Sequence, residues 1–386
     1  MAAFILSGCL RQLLGARSLR DYLQTLFHLD ASLTLPPIAR STWADALGSH
    51  SRCRVLREAL AHLVLRARGD LPDRLAQVPS LGSRDVIATD ATYLSESSHY
   101  GAVYPTEGGN DNQKGHMVMS HYDVRKGIPL SAVTRTQSMG EMRVLKDVAT
   151  HSESWLRTKN AIHVVDRAFI DGTFWDQCLQ RYASSVITRM KSVLKYSVVG
   201  DTPVVACPSN EGVQYDHQVT LNCSKEQWRL IGFTAPDGVV YEYLTNDQTL
   251  LPGVVAFLYH RRWDKEKYYD SFKNDLASTQ AWGKSALAIE QQALMGMVTV
   301  ILTQLFLQRR QTELARNTPD STQQPKHQAK QEQHKKTGMG VTLRTNWTHL
   351  SKITRQLWRF LKNCFAYTHD PALYRRQLEP LLRQYL

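Results

Sequence analysis

Apolar positions recur at helical spacing through the first eighty residues, switch to alternation near Arg84, and return to helical spacing after Leu251. The early region reads as helices broken by loop chemistry at Leu35-Pro36-Pro37 and at Gly48-Ser49-His50-Ser51, with a long helix over about 52–68. A short helix over 41–47, the Gly48 break and the helix after it have the outline of a DNA-reading helix-turn-helix. A plain helical lobe has the same outline.

Alternation predicts a strand over 85–90 and a hairpin of 115–122 with 128–135 around Asp123-Val124-Arg125-Lys126-Gly127. Ser138-Met139-Gly140-Glu141 has the form of a capping box, so a helix is expected to run from there to about Thr150. A strand over 161–166 and a helix starting near Asp171 complete a mixed α/β plan, the plan of a ribonuclease-H-like sheet. Between Ser184 and Asn246 helical period disappears and five strand-like segments follow one another, with Ala235-Pro236-Asp237-Gly238 as a turn, which reads as an all-β insertion. The helices then resume.

The fold class expected is therefore α/β, a ribonuclease-H-like core interrupted by an all-β insertion, with helical regions at both ends. The expected parts are a helical N-terminal DNA-binding region (1–80), the first part of the core (81–183), the insertion (184–250) and the helical part of the core (251–308). A flexible linker (309–340), rich in Gln, Lys, Thr and His, and a basic helical module (341–386) follow. In that module Lys352, Arg355, Arg359 and Lys362 share one helical arc, a spacing that suits DNA phosphates and equally a solvated face.

Charge sharpens this picture. The chain carries 47 Lys+Arg against 35 Asp+Glu, a formal +12. Residues 1–80 contribute +4, residues 81–308 contribute −2 and residues 309–386 contribute +10. Basic flanks around a near-neutral centre fit an enzyme whose carboxylates hold divalent metal while its flanks grip a polyanion. The six cysteines are far apart and show no metal-ligand spacing, so neither a zinc site nor a disulfide framework is expected, and a reducing compartment is. No signal peptide is read at the N-terminus, and the apolar run over 293–307 is read as a buried core helix.

The densest chemistry is Tyr259-His260-Arg261-Arg262-Trp263-Asp264-Lys265-Glu266 and on to Lys273, which contains Tyr-x2-Arg-x3-Glu-x6-Lys. On one continuous helix, Tyr259, Arg262, Glu266 and Lys273 share a stripe about 60° wide, while Phe257, Leu258, Tyr268, Tyr269, Phe272 and Leu276 take the opposite arc. The plainer reading of the stripe is an Arg262–Glu266 ion pair on a solvated face.

With Thr89-Asp90-Ala91-Thr92 upstream and Val164-Val165-Asp166-Arg167 between, this signature resembles the DDE transposases of bacterial insertion sequences, specifically the insertion-sequence-four family, from about 84 to about 307. The resemblance implies that Asp90, Asp166 and Glu266 are the catalytic, metal-holding triad. It implies two Mg²⁺ ions, for which Mn²⁺ can substitute, and Tyr259, Arg262 and Lys273 on the phosphates of the transposon end. Phosphodiester cleavage independently asks for this donor type, because paired hard cations take carboxylate oxygens. Asp85 rivals Asp90 but has the opposite strand parity, and Asp171 rivals Asp166 but suits a helix cap. Arg167 is read as contacting DNA or orienting the Asp166 carboxylate. Trp228, Tyr241 and Tyr243 are read as core aromatics with base stacking as the alternative, and His163 as a strand-core histidine.

The function implied is a transposase that binds terminal inverted repeats, cleaves at the element's ends and joins the 3′-hydroxyls to target DNA. The implied partners are double-stranded DNA and a second copy in a synaptic homodimer, with no membrane, in a bacterial cytoplasm at the nucleoid. The alternatives are a ribonuclease-H-like nuclease without strand transfer and a catalytically silent DNA-binding protein.

Overall fold

The computed structural model describes residues 1–16, 18–28, 38–95, 115–135, 140–151, 154–235, 238–270, 281–283 and 285–317. Lys273, the segment beyond residue 317 and the basic stripe at 352–362 lie outside them. Four helices come first: α1 (Ala2–Leu14), α2 (Leu19–His28), α3 (Arg40–Leu47) and α4 (His50–Asp70). Ser49 caps α4 by accepting from the Arg52 backbone N–H at 3.4 Å, and α1 ends on Gly15 in the left-handed region.

Next come β1 (Val86–Ser95), β2 (Gly115–Asp123), β3 (Ile128–Arg135), α5 (Glu141–Thr150), β4 (Ile162–Val165), α6 (Gly172–Tyr182) and β5 (Ser185–Arg189). The β2–β3 turn closes where the expected hairpin lay. Gly127 takes φ 69° there, and its N–H donates to the Asp123 carbonyl at 2.7 Å. Helix α5 begins later than expected: its N-cap is Gly140, without a side-chain cap, and Ser138 lies outside the described residues. Asp171 is a helix cap, its carboxylate accepting from the Phe174 N–H at 2.9 Å.

The strands β6 (Tyr196–Asp201), β7 (Val213–Leu221), β8 (Gln227–Thr234) and β9 (Val240–Thr245) precede α7 (Pro252–Arg261), α8 (Trp263–Asp270) and α9 (Ala286–Asn317). Among the described residues the nine strands form one mixed, mostly antiparallel sheet in the order β3-β2-β1-β4-β5-β9-β8-β7-β6. The segments read as an insertion do not stand apart. β5 pairs parallel with β4, and β9 returns antiparallel to β5, so the later strands extend the sheet that carries Asp90. Sequence alternation shows that a strand has one buried face, not which neighbour it finds. At the far border β6 is exposed along its whole length, with Val198 and Val199 more than half exposed.

Apart from the border strand β6, the sheet is covered on both faces. Val118, Val164, Ile187, Ile231 and Tyr243 join one cluster with α1, α3, α4, α7, α8 and α9, while Met117, Met119, Val165, Val186, Leu230 and Leu244 join another with α5 and α6. Adjacent residues falling into different clusters is the period-2 signature of a sheet buried on both sides. Helix α4 spends its apolar face on α9 and β3, as a helical lobe does. By length and composition Ala286–Glu313 is apolar enough to cross a membrane, yet 83% of that window is buried against the rest of the chain.

Candidate active site

Register places the first two acids side by side. β1 and β4 run parallel and their pairing ends with Thr89 opposite Val165, so Asp90 and Asp166 each follow that last pair by one residue. Asp90 shares strand parity with Ala88, and Asp166 with Val164, both in the cluster that holds α7 and α8. Both acids therefore face those helices. Asp85, the rival, is ion-paired with Arg68 instead.

The expected continuous helix is two helices. Helix α7 ends at Arg261 and α8 begins at Trp263, with Arg262 between them keeping right-handed dihedrals. The Arg262 N–H donates to the Tyr259 carbonyl at 3.0 Å, and the Lys265 N–H to the Arg262 carbonyl at 2.9 Å, a tightened turn of i to i+3 bonds. The junction still keeps Arg262 and Glu266 in contact: Arg262 Nη2 lies 2.7 Å from Glu266 Oε1, and Arg262 Nη1 lies 3.3 Å from Asp90 Oδ2. The Tyr259 hydroxyl donates to Asp166 Oδ1 at 3.4 Å, and the Arg262 guanidinium lies 5.5 Å from the Tyr259 ring centroid. Thus Asp90, Asp166 and Glu266 gather around one guanidinium and one phenol.

Two members of the polar stripe are interior, while the Glu266 side chain is 37% exposed. Tyr259 and Arg262 are each 7% exposed, with Tyr259 packed 5.0 Å from Tyr243 between ring centroids. Burial raises the Tyr259 phenol, with Arg262 opposing, so the hydroxyl stays a donor. Burial works against the Arg262 charge, but Tyr259, Asp90, Glu266 and Asp166 together outweigh it and push its pKa up. Arg167 sits in a 3-10 turn directly after Asp166 and is exposed.

Three residues near the acids carried no sequence signal as site residues. Lys265 is completely buried and donates to the Asp90 carbonyl at 2.8 Å and to the Ser120 carbonyl. Burial pulls its pKa down to about 7, with Asp90 opposing. Tyr269, assigned by periodicity to the packing arc, also donates to the Asp90 carbonyl, at 2.9 Å. Arg189 ends β5, lies 4.9 Å from the Tyr241 ring centroid, and acts on Tyr259 through its charge. Conversely, Trp228 is a core residue, 1% exposed, its indole N–H donating to Ser224 at 2.7 Å, and His163 is fully buried.

The donor set suits a hard divalent cation: three carboxylates, partly open, with Asp90 and Glu266 side chains 16% and 37% exposed. Among the described residues no three acidic, histidine or cysteine side chains already meet at metal-holding distance. Arg262 stands between two of the acids in their place.

No protein of curated function matches the chain. Among solved structures it is similar to a piggyBac transposase synaptic complex with hairpin DNA, at 10% identity and a TM-score of 0.42, over 98% of this chain and 75% of that one. The family model described as the transposase DDE domain matches residues 81–302, more than half of the chain and all three acids, and the protein belongs to that family.

Proposed function

We propose that the protein is a DNA transposase that binds the inverted repeats at the ends of its element, cleaves there and joins the freed 3′-hydroxyls to target DNA. The observation that carries the reading is the meeting of Asp90 and Glu266 on the Arg262 guanidinium, with Asp166 on the neighbouring Tyr259 phenol. In this reading the strands and helices around the acids form a ribonuclease-H-like core, and residues 184–250 are an insertion that has merged with its sheet. The helical N-terminal region and the basic C-terminal module hold DNA, two copies synapse two ends, and the protein works in the bacterial cytoplasm at the nucleoid.

Asp90, Asp166 and Glu266 would hold the divalent ions, which supply Lewis-acid stabilisation of charge on the attacking and leaving oxygens when bound. The chain's own residues do the rest. Arg262 offers a planar fork that fits phosphate as well as carboxylate, so with Asp90 and Glu266 serving as metal ligands it would be free to hold a phosphate of the DNA strand. The protonated Tyr259 hydroxyl donates beside it. Arg167, exposed just after β4, would add a phosphate contact, and Lys273, seven positions after Glu266 in sequence, is assigned another.

The test is to incubate the full chain with linear DNA carrying the repeats that flank its coding region, a plasmid target, and Mg²⁺ or Mn²⁺. End cleavage and joined product are expected, and Glu266→Gln should abolish both. Cleavage that survives Glu266→Gln overturns the assignment, and cleavage without any joined product overturns the transposase reading in favour of a nuclease.

A further inference from the structure

We propose that Lys265 and Tyr269 are positioning residues, a brace that fixes the β1–β2 backbone at Asp90 against helix α8 so that Asp90 and Glu266 face a common cation. The inference rests on the reading of those two acids as metal ligands.

Pairing of β1 with β4 stops at Thr89, so the Asp90 carbonyl lies just past the last residue the parallel neighbour can serve. On the other side Asp90 stands directly opposite Ser120 of β2. Lys265 reaches both members of this pair, donating to the Asp90 and Ser120 carbonyls. Tyr269, one helical turn on, donates to the same Asp90 carbonyl at 2.9 Å, and its oxygen lies 2.8 Å from the Ser120 hydroxyl. The Lys265 ammonium also lies 5.1 Å from the Tyr269 ring centroid. Two side chains of α8 thus grip one rung of the sheet, and that rung carries the first acid.

Stability does not explain a lysine here. A fully buried ammonium is expensive to desolvate, and a hydrocarbon of similar volume commonly serves a core as well or better. Among the described residues Lys265 has no carboxylate in an ion pair, and the acceptors it reaches are the backbone carbonyls of Asp90 and Ser120. That choice leaves the Asp90 carboxylate uncommitted to the ammonium: Oδ1 accepts from the Ala91 N–H at 2.9 Å and Oδ2 faces Arg262. Because Lys265 immediately precedes Glu266, the turn of α8 that inserts the ammonium also sets the third acid. Arg262 reaches the same two acids through their carboxylates, while Lys265 holds them through the backbone.

The experiment measures Mn²⁺ binding to the full-length protein without DNA, and end cleavage over graded Mn²⁺, for wild type, Lys265→Met, Tyr269→Phe, Asp90→Asn and Glu266→Gln. Lys265→Met is expected to bind Mn²⁺ about tenfold more weakly and to cleave correspondingly less at limiting Mn²⁺, as losses of supporting contacts around metal ligands do. Raising Mn²⁺ should restore much of its kcat, and KM for DNA should not move. Tyr269→Phe should shift in the same direction by less. A folded Lys265→Met with unchanged Mn²⁺ affinity overturns the brace. If Lys265→Met does not fold, Tyr269→Phe, which loses one hydroxyl, decides: unchanged metal affinity overturns the proposal. Unchanged binding in Asp90→Asn and Glu266→Gln overturns the ligand assignment beneath it, whereas loss there with none in the brace variants overturns the brace alone.

Discussion

Arg262 Nη1 lies 3.3 Å from Asp90 Oδ2, across 172 positions of sequence, while its Nη2 holds Glu266 at 2.7 Å. A cation that takes both acids must displace this guanidinium. In Arg262→Gln the carboxylates lose their internal counter-charge, so divalent ions should bind that variant more tightly in the absence of DNA. We expect Mn²⁺ to raise its melting temperature more than that of wild type, while DNA cleavage falls because the phosphate fork is gone. Equal Mn²⁺ stabilisation of the two proteins would show that Arg262 does not compete for the acids.

Isosteric amides at the acids separate ligation from packing. Asp90→Asn, Asp166→Asn and Glu266→Gln keep shape and remove charge, and each should lower end cleavage by more than the roughly 10–100-fold typical of changes behind a metal ligand. Their urea midpoints should stay near wild type or rise, because the free protein crowds three carboxylates around one phenol and one guanidinium. Cleavage retained in Asp166→Asn would remove that residue from the triad.

Acid should loosen the sheet through two histidines. Burial pulls His121 down to about 3, with Lys265 and His163 adding to the effect, and burial pulls His163 down to about 4. An unfolded imidazole titrates near 6.5, so below that pH the unfolded chain takes up protons that the folded chain refuses. The stability they contribute is complete above about pH 6.5 and declines toward about pH 4, by up to about 1.4 kcal/mol per pH unit for each histidine. Urea midpoints should fall between about pH 7 and about pH 5, and His163→Phe should flatten the slope. A slope unchanged in that variant would remove His163 from this account.

The pair Arg229–Asp216 is nearly sealed, with side chains 3% and 1% exposed, and Arg229 also donates to the Asp247 and Leu250 carbonyls. Arg229→Met strands a buried carboxylate and should cost about 3–5 kcal/mol in urea unfolding, part of which Arg229→Met with Asp216→Leu should recover. A single-variant loss below about 1 kcal/mol would mean that solvent reaches Asp216.

How much of this was legible follows from the range of each interaction. Asp90, Asp166 and Glu266 were picked out by the resemblance to the DDE transposases; local pattern added only that strand parity separates Asp90 from Asp85, that Asp171 suits a helix cap, and that Glu266 lies four residues from Arg262. The break at Arg262 was not readable, since its right-handed dihedrals leave the amphipathic pattern intact across the junction. Lys265 sits in the charge run Asp264-Lys265-Glu266-Lys267, which in sequence looks like a solvated face. Only the approach of the β1–β2 rung, 145 positions away at Ser120, makes it a buried donor. The joining of β5 to β4 and of β9 to β5 likewise depends on partners far along the chain, which alternation cannot choose.

The border strand β6 has a practical consequence. Its outer row of backbone donors and acceptors has no neighbouring strand among the described residues, and Val198 and Val199 flank it in the open. Such a margin invites molecules in concentrated stocks to adhere strand to strand, and a lysine placed at Val198 is the first substitution to make when preparations turn cloudy.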